Sequence, residues 1–488
     1  MKTLKMKAAL LALPLVVAAL TGCGSQNNTS GAVQIKLWHT WGQTIIDAVK
    51  SKAATFKQLV KENDGVDVEV TLIYQGGYDD ILTKTKKGYS VGNKPTIAVA
   101  YPDHVSDYLD IGKAANDQFV VNLEQYSKDS KVGFGKEDWL GDKKHGEEDF
   151  IEGYFQEGQE YSVKGLYSIP FMKSTEIMFY NYDIVEAAMP YYNSSISGET
   201  NIKNFISNMT WDQLTEFARS IKEHAADIGI SGSLDTPVAY DSDANLFITK
   251  MYQNGIPYSS INDQGQGSID FNKTGNIERT TSMLEKLWQM HKDGLLTTKG
   301  IKGTYSSDFF TNEECVFTIG SSGGAGYNFP QQDSFRLGVA KVPYDNNNPK
   351  YVTQGVTLAL FSDNGLDAET NEMAKLYGYK FIKFLTNTQN NAELCVNGSE
   401  GYAPVRYSCY ETSFFQDFMA EPSKYQLCYK VVTEDVNDAG YLATPCFKGS
   451  ADLRDACGSL LTAALNASSK DSIPGLIQKA AEDAALKM

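Results

Sequence analysis

The first well-patterned stretch of the chain already restricts its fold. Gln34-Ile35-Lys36-Leu37-Trp38 alternates polar and apolar residues as a strand does, a helix-period stretch runs from Ile45 to Glu62, and VDVEVTLIY, Val66 to Tyr74, alternates again. Two strands separated by one helix join readily only as a crossover between parallel strands, so the pattern predicts an α/β protein built on a largely parallel sheet. PTIAVAY, Pro95 to Tyr101, reads as a third, buried strand of the same sheet.

The remainder continues the alternation. Gly165 to Tyr180 holds two short strand-like runs, LYSIPF and EIMFY, joined by Met172-Lys173-Ser174-Thr175. Thr210 is placed to cap a helix that carries Leu214, Phe217 and Ile221 on one face. A strand at Ser268–Asn272 and an amphipathic helix at Asn276–His291 follow. Cys315–Ile319, Leu337–Val342 and Val356–Phe361 read as strands and Ala374–Leu385 as a helix, and Ser450 is expected to cap a helix from Ala451 to Asn466. No linker cleanly separates two domains across the 488 residues, which points to lobes that exchange segments.

The amino terminus sets the compartment. Three lysines in Met1–Lys7 precede an apolar run, Ala8–Leu20, that is short of the roughly 20 residues a spanning helix needs. This is the layout of an export signal, here residues 1–22. Leu20-Thr21-Gly22-Cys23 resembles the lipobox of bacterial lipoproteins, which implies acylation of Cys23, a tether over 23–32 and a place on the outer face of the cell membrane. The formal charge of −16 argues against a nucleic-acid partner, since phosphate binding needs a basic face. Besides Cys23 there are Cys315, Cys395, Cys409, Cys428, Cys446 and Cys457; sequence does not choose between disulfides and buried thiols for these six.

Several chemistries fail on spacing. Gly320-Ser321-Ser322-Gly323-Gly324 satisfies G-x-S-x-G, but the five histidines, His39, His104, His145, His224 and His291, all precede Ser322, whereas an elbow serine needs one after it. The Gly-Lys pairs at Gly112-Lys113 and Gly135-Lys136 lack the Ser or Thr of a phosphate loop, and Gly323-Gly324-Ala325-Gly326 lacks dinucleotide spacing. No H-e-x-x-h or C-x-x-C spacing suggests a metal, so neither metal nor cofactor is expected. Two carboxylates of a glycosidase leave no spacing signature, and a secreted glycosidase stays open as the rival reading, with a surface adhesin third.

LWHTWG (Leu37 to Gly42), YQGGYDDIL, GNKPTIAVAYPDH, YSIPFMKSTEIMFYN, TWDQL, NEECVFTIGSSGG, LGVAKVPYD and EGYAPVR occur in this order along the mature chain. Together they resemble family 1 extracellular solute-binding proteins of ABC importers, most nearly the glycerol-3-phosphate-binding branch beside the maltose binders. The resemblance implies a two-lobed fold of the type II periplasmic-binding-protein kind, with discontinuous lobes, 33–172 with 319–383 and 173–318 with 384–488, joined by crossover hinge strands at IPFMKSTEIMFYN and VFTIGSS. It implies a monomer without catalytic residues that passes a sugar or short oligosaccharide, or else glycerol-3-phosphate or a glycerophosphodiester, to an ABC permease.

Residue by residue, the resemblance implies ligand contacts from Tyr78 in QGGYDD, Ser174 in the first crossover, Ser321 in the second, Gly355 in TQGVTL, Tyr402 in GYAPV and the anion-binding Arg454. Two positions depart from the glycerol-phosphate pattern: Tyr240 stands where that branch has tryptophan, and Pro102 stands where it has glutamate, with Asp103 one place on. Of the tryptophans flanking the first strand end, Trp38 is expected in the core and Trp41 toward ligand. Arg454 is expected in the first turn of its helix, where the helix dipole disfavours a cation, so it calls for an anionic partner such as Asp452, Asp455 or a ligand. Arg406 in APVR is a second candidate positive group.

Overall fold

The computed structural model describes residues 31–113, 118–141, 146–397, 401–437 and 440–488. The expected export signal, the tether up to residue 30 and Cys23 lie outside the described residues. The opening β-α-β unit is present as β1 (Val33–His39), the helix Gln43–Asp64 and β2 (Val68–Tyr74), with β1 parallel to both β2 and β3 (Ile97–Ala100). The helix lies on the sheet because Val49, Ala53, Phe56 and Val60 recur at helical spacing and are all buried. The helix Ala368–Leu385 packs on β1 and on this first helix, starting six residues earlier than the periodicity suggested because Asp367 caps it by accepting from Thr370 N.

The centre of the molecule is β4 (Ile169–Asn181), buried at all 13 positions. The sequence suggested two short runs divided at Met172–Thr175; the structure has one continuous strand. The polar residues at the expected break stay in the strand because both neighbours claim them. β11 (Tyr351–Leu360) pairs antiparallel with the first half, through Thr353 opposite Thr175 and Gln354 opposite Ser174. β9 (Phe317–Ser321) and β10 (Leu337–Ala340) pair with the second half. β5 (Val238–Tyr240) and β8 (Leu296–Thr298) extend the sheet beyond β9, and β6 (Ser259–Ile261) with β7 (Gly267–Ile269) forms a separate hairpin. β12 (Tyr441–Leu442) adds to β11. The full path runs β2-β1-β3-β11-β4-β9-β5-β8, a mixed α/β sheet that β4 threads from one half to the other.

The carboxyl-terminal helices cover the β5–β8 half. The helix Ser450–Asn466 packs against Asp243–Gln253, Asn276–Lys292 and Ile473–Ala485 with Leu453, Cys457, Leu460, Leu461 and Ala464 inward. Ser450 is its first residue rather than its cap: Gly449 precedes it at φ +84°, a left-handed conformation that glycine adopts freely, and makes no side-chain cap. Arg454 therefore begins the second turn, where the dipole penalty has largely faded. Cys315, Cys395, Cys409, Cys428, Cys446 and Cys457 are all buried, and none of them is joined in a disulfide. Among the described residues no helix is long and apolar enough to cross a membrane.

Candidate functional site

A cavity of about 390 Å³ opens where β4, β9 and β11 meet, within the size range of small-ligand sites. Ser174 and Ser321 meet on its wall, Ser321 Oγ donating to Ser174 Oγ at 3.2 Å while accepting from Gly323 N at 3.2 Å. The neighbouring Ser322, the serine a hydrolase elbow would use, is fully buried and accepts from Thr175 N at 3.3 Å. It does not line the cavity, and no histidine does among the described residues.

Gly355 lines the cavity at φ +87°, beside a register shift between β11 and β4. A Cβ there would stand 2.3 Å from Met172 O and 2.9 Å from Lys173 Cα. Its bareness thus lets β11 approach the β4 backbone, a different use from the close approach to ligand that the resemblance implied. Gly323 likewise makes room for a neighbour, since its Cβ would meet the Tyr402 ring at 2.8 Å. Tyr402 lines the cavity on that glycine.

Tyr402 belongs to a tyrosine cluster. The Tyr78 ring lies 4.3 Å from that of Tyr101, and Tyr101 rather than Tyr78 is on the cavity wall. Burial first, and then the Tyr402 hydroxyl, raise the pKa of both Tyr78 and Tyr101, so these two act as neutral phenols. Trp41 does not reach the cavity: it is 5% exposed, stacks on His39 at 5.1 Å and meets Phe171 at 5.7 Å. Trp38 is in the core as expected.

Charged groups line the rest. Arg454 Nη1 donates to Asn245 Oδ1 at 2.7 Å and its Nε lies 3.5 Å from Asp103 Oδ2. Its partner is thus Asp103, brought by the helix Pro102–Leu109, and not the neighbours Asp452 or Asp455 on its own helix. Asp455 also lines the cavity, its pKa raised by burial and by the nearby Asp79 and Asp103 carboxylates. Arg406 is elsewhere, fully buried, donating to Thr386 O at 2.6 Å and to Gly146 O at 3.2 Å with its guanidinium over Phe150.

Several wall residues escaped the sequence reading, among them Lys173, Glu157, Glu176 and Asp241. Lys173 Nζ donates to Glu157 Oε2 at 2.5 Å, and the other oxygen of Glu157 accepts from the Thr353 hydroxyl. Glu176 is 2% exposed and accepts on Oε2 from the Tyr240 hydroxyl. Tyr240 itself is buried behind it and off the wall, its ring parallel to Trp211 at 6.4 Å. Asp241 accepts from Ser306 N at 3.1 Å, and burial raises its pKa. The signal that could have found Lys173 and Glu176 is the polar run inside β4: charged residues amid a buried strand require partners. No group of His, Cys, Asp and Glu among the described residues could hold a metal ion.

With this geometry in hand, similarity to known proteins is informative. Residues 53–422 match the family described as bacterial extracellular solute-binding protein. The chain is 24% identical over 411 residues to the sn-glycerol-3-phosphate-binding periplasmic protein UgpB of Pectobacterium atrosepticum, covering 83% of this chain and 79% of that protein. It is 25% identical over 438 residues to the same protein of Escherichia coli K12, covering 86% and 83%. Among solved structures it is similar to the cyclic α-maltosyl-1,6-maltose binding protein of Arthrobacter globiformis, with TM-score 0.66 and 17% identity over 93% of this chain and 99% of that one. UgpB of Mycobacterium tuberculosis in complex with glycerophosphocholine superposes with TM-score 0.64 and 15% identity over 94% and 98%. These likenesses show the two-lobed type II binding-protein fold.

Proposed function

This chain belongs to the bacterial extracellular solute-binding proteins, and on that premise we propose that it is the exported receptor of an ABC importer, holding a sugar or short oligosaccharide and passing it to the permease. The observation that carries the ligand class is the charge balance of the cavity. Asp103, Glu157, Glu176, Asp241 and Asp455 face it with only Lys173, Lys299 and Arg454. Lys173 is engaged by Glu157 and Arg454 by Asp103, so the wall keeps carboxyls to spare. Carboxylates accept from sugar hydroxyls, a protonated carboxyl donates to a sugar oxygen, and Tyr101 and Tyr402 add ring faces for the apolar side of a pyranose. A phosphate, with a charge near −2, would find two of the three wall cations, Lys173 and Arg454, already engaged by carboxylates.

In this reading 33–172 with 319–383 and 173–318 with 384–488 are the two lobes, and the ligand favours their closed arrangement. The receptor is a monomer that performs no chemistry, and the acylated Cys23 holds it at the outer face of the cell membrane. Thermal-shift screening against sugars, polyols and glycerol phosphates tests the core of this: a ligand at about 100 times its Kd adds roughly 2.7 kcal/mol. Strong stabilisation by one compound recovered unaltered is expected, and its cleavage in the same tube would make the protein a glycosidase. Loss of palmitate labelling and of membrane retention in Cys23→Ser tests the anchor.

Arg454 favours a second reading, a glycerol-3-phosphate or glycerophosphodiester receptor, as the names of the relatives suggest. Its guanidinium is the cation that a phosphate would take over from Asp103.

A further inference from the structure

β4 carries one acid, Glu176, and its two oxygens are treated differently. Oε2 accepts from the Tyr240 hydroxyl, while Oε1 is buried and closes no well-formed hydrogen bond, although the nearby Asn245 amide acts on the carboxyl. Of this pair only Glu176 lines the cavity, and Tyr240 closes it from behind. Leaving a buried polar atom unpaired is unfavourable, and native sites keep such an atom where something else completes it. We infer that Glu176 is a specificity-determining ligand contact: Tyr240 fixes Oε2, and Oε1 is completed by a hydroxyl or ring oxygen of an uncharged sugar. This rests on the sugar-receptor reading above and gives it a discriminating group.

The surroundings decide which form of the acid makes the contact. β5 and the residue after it bring Tyr240 and Asp241, the helix Asp243–Gln253 brings Asn245, and the helix Ser450–Asn466 brings Arg454, already engaged by Asp103. Ser321 on β9 and the uncharged Thr353 and Gln354 on β11 complete the near side. On the far side Cys428, Val431 and Val432 pack around Ile177 and Phe179. Burial raises the Glu176 pKa to about 8; Tyr240 and Asn245 oppose the shift, Asp241 adds to it and Arg454 opposes it. A pKa raised this far favours the neutral acid at neutral pH. Because Oε2 is occupied as an acceptor, the proton sits on Oε1 and is donated to the ligand, an option closed to a carboxylate.

The test is calorimetric titration of the mature protein and of Glu176→Leu and Glu176→Gln, each checked for a native circular-dichroism spectrum. The probes are glucose, maltose, maltotriose, sucrose, trehalose and raffinose, with sn-glycerol 3-phosphate alongside, between pH 5.5 and 9.5. For the wild type, Kd is expected to be flat below pH 7 and to rise by up to tenfold per unit above about pH 8. Glu176→Leu is expected to weaken sugar binding at least tenfold. Glu176→Gln is expected to weaken it less and to remove the alkaline rise. A sugar that binds wild type and Glu176→Leu alike, or an alkaline rise that survives in Glu176→Gln, overturns the inference and leaves the receptor reading standing. Binding of none of the sugars by the wild type overturns the sugar reading itself, and the inference with it.

Discussion

Removing the Lys173 ammonium is the most demanding test of the cavity floor. Lys173 is fully buried and Glu157 is 8% exposed, with Nζ 2.5 Å from Oε2; the ammonium lies a further 3.4 Å from Gly355 O. A buried ion stripped of its partner typically loses about 3–5 kcal/mol of stability, whereas removing both charges together is far milder. Lys173→Met is therefore expected to cost about 3–5 kcal/mol. Lys173→Met with Glu157→Gln is expected to recover most of that loss, since a glutamine oxygen still accepts from Thr353. The pH dependence has a definite sign. Burial raises the Glu157 pKa and Lys173 pulls it back, so deleting Lys173 lifts it further above its unfolded value. The stability of Lys173→Met is then greatest below the ordinary carboxylate range and falls as pH rises toward the folded pKa. Urea unfolding followed by circular dichroism at pH 5.5, 7 and 8.5 measures all four corners of the cycle. A single-variant loss below about 1 kcal/mol, or a double variant no better than the sum of its parts, would refute the ion-pair argument.

Other expectations follow from single contacts. Glu176→Gln removes an acid whose folded pKa is raised from 4.5 to about 8, so the wild type loses stability relative to it as pH rises between those values. At about 1.36 kcal/mol per unit the variant gains roughly 3 kcal/mol by pH 7, read as a widening gap in urea midpoints; a gap constant with pH would contradict the shift. Gly355→Ala places a Cβ against the Met172 carbonyl at a positive φ and is expected to lose more than the roughly 1–3 kcal/mol of conformational strain alone. Arg454→Ala should weaken a neutral sugar by no more than about tenfold. Abolished binding of glycerol-3-phosphate in that variant, with wild-type binding intact, would favour the phosphate reading.

What the amino-acid sequence disclosed and what it hid follow from the range of the forces involved. The helix at Trp211–Glu223 was legible because its cap is local: Thr210 and Gln213 satisfy each other's backbone within one turn. The β1-helix-β2 unit was legible for the same reason, its periodicities being written into adjacent residues. β4 was not. A polar run in its middle looks locally like a break, and it becomes a strand only because partners arrive from far along the chain. Lys173 is satisfied by Glu157, 16 positions away, Glu176 by Tyr240, 64 away, and Ser174 by Ser321, 147 away. Ser174, Ser321, Gly355, Tyr402, Asp103 and Arg454, singled out by resemblance, do gather on one cavity wall, while Tyr78 and Tyr240 stand behind it and Trp41 packs elsewhere.

The same long-range pairing explains why the strand's polar residues and the cavity coincide. Buried polar groups on a central strand are costly unless they find partners, and the partners here come from segments that pack close to β4. Gly355 and Gly323 make room for that close packing, one toward β4 and the other toward Tyr402. A strand that passes through both halves of the sheet thus carries its least apolar residues at the point where the halves meet. There the Lys173 and Ser174 side chains are committed to the protein, Thr175 keeps an unpartnered hydroxyl off the cavity wall, and Glu176 keeps a buried oxygen with no partner on it. In the reading proposed above, that asymmetry makes Glu176, rather than Ser174 or Thr175 beside it, the residue of β4 whose hydrogen bonding a ligand completes.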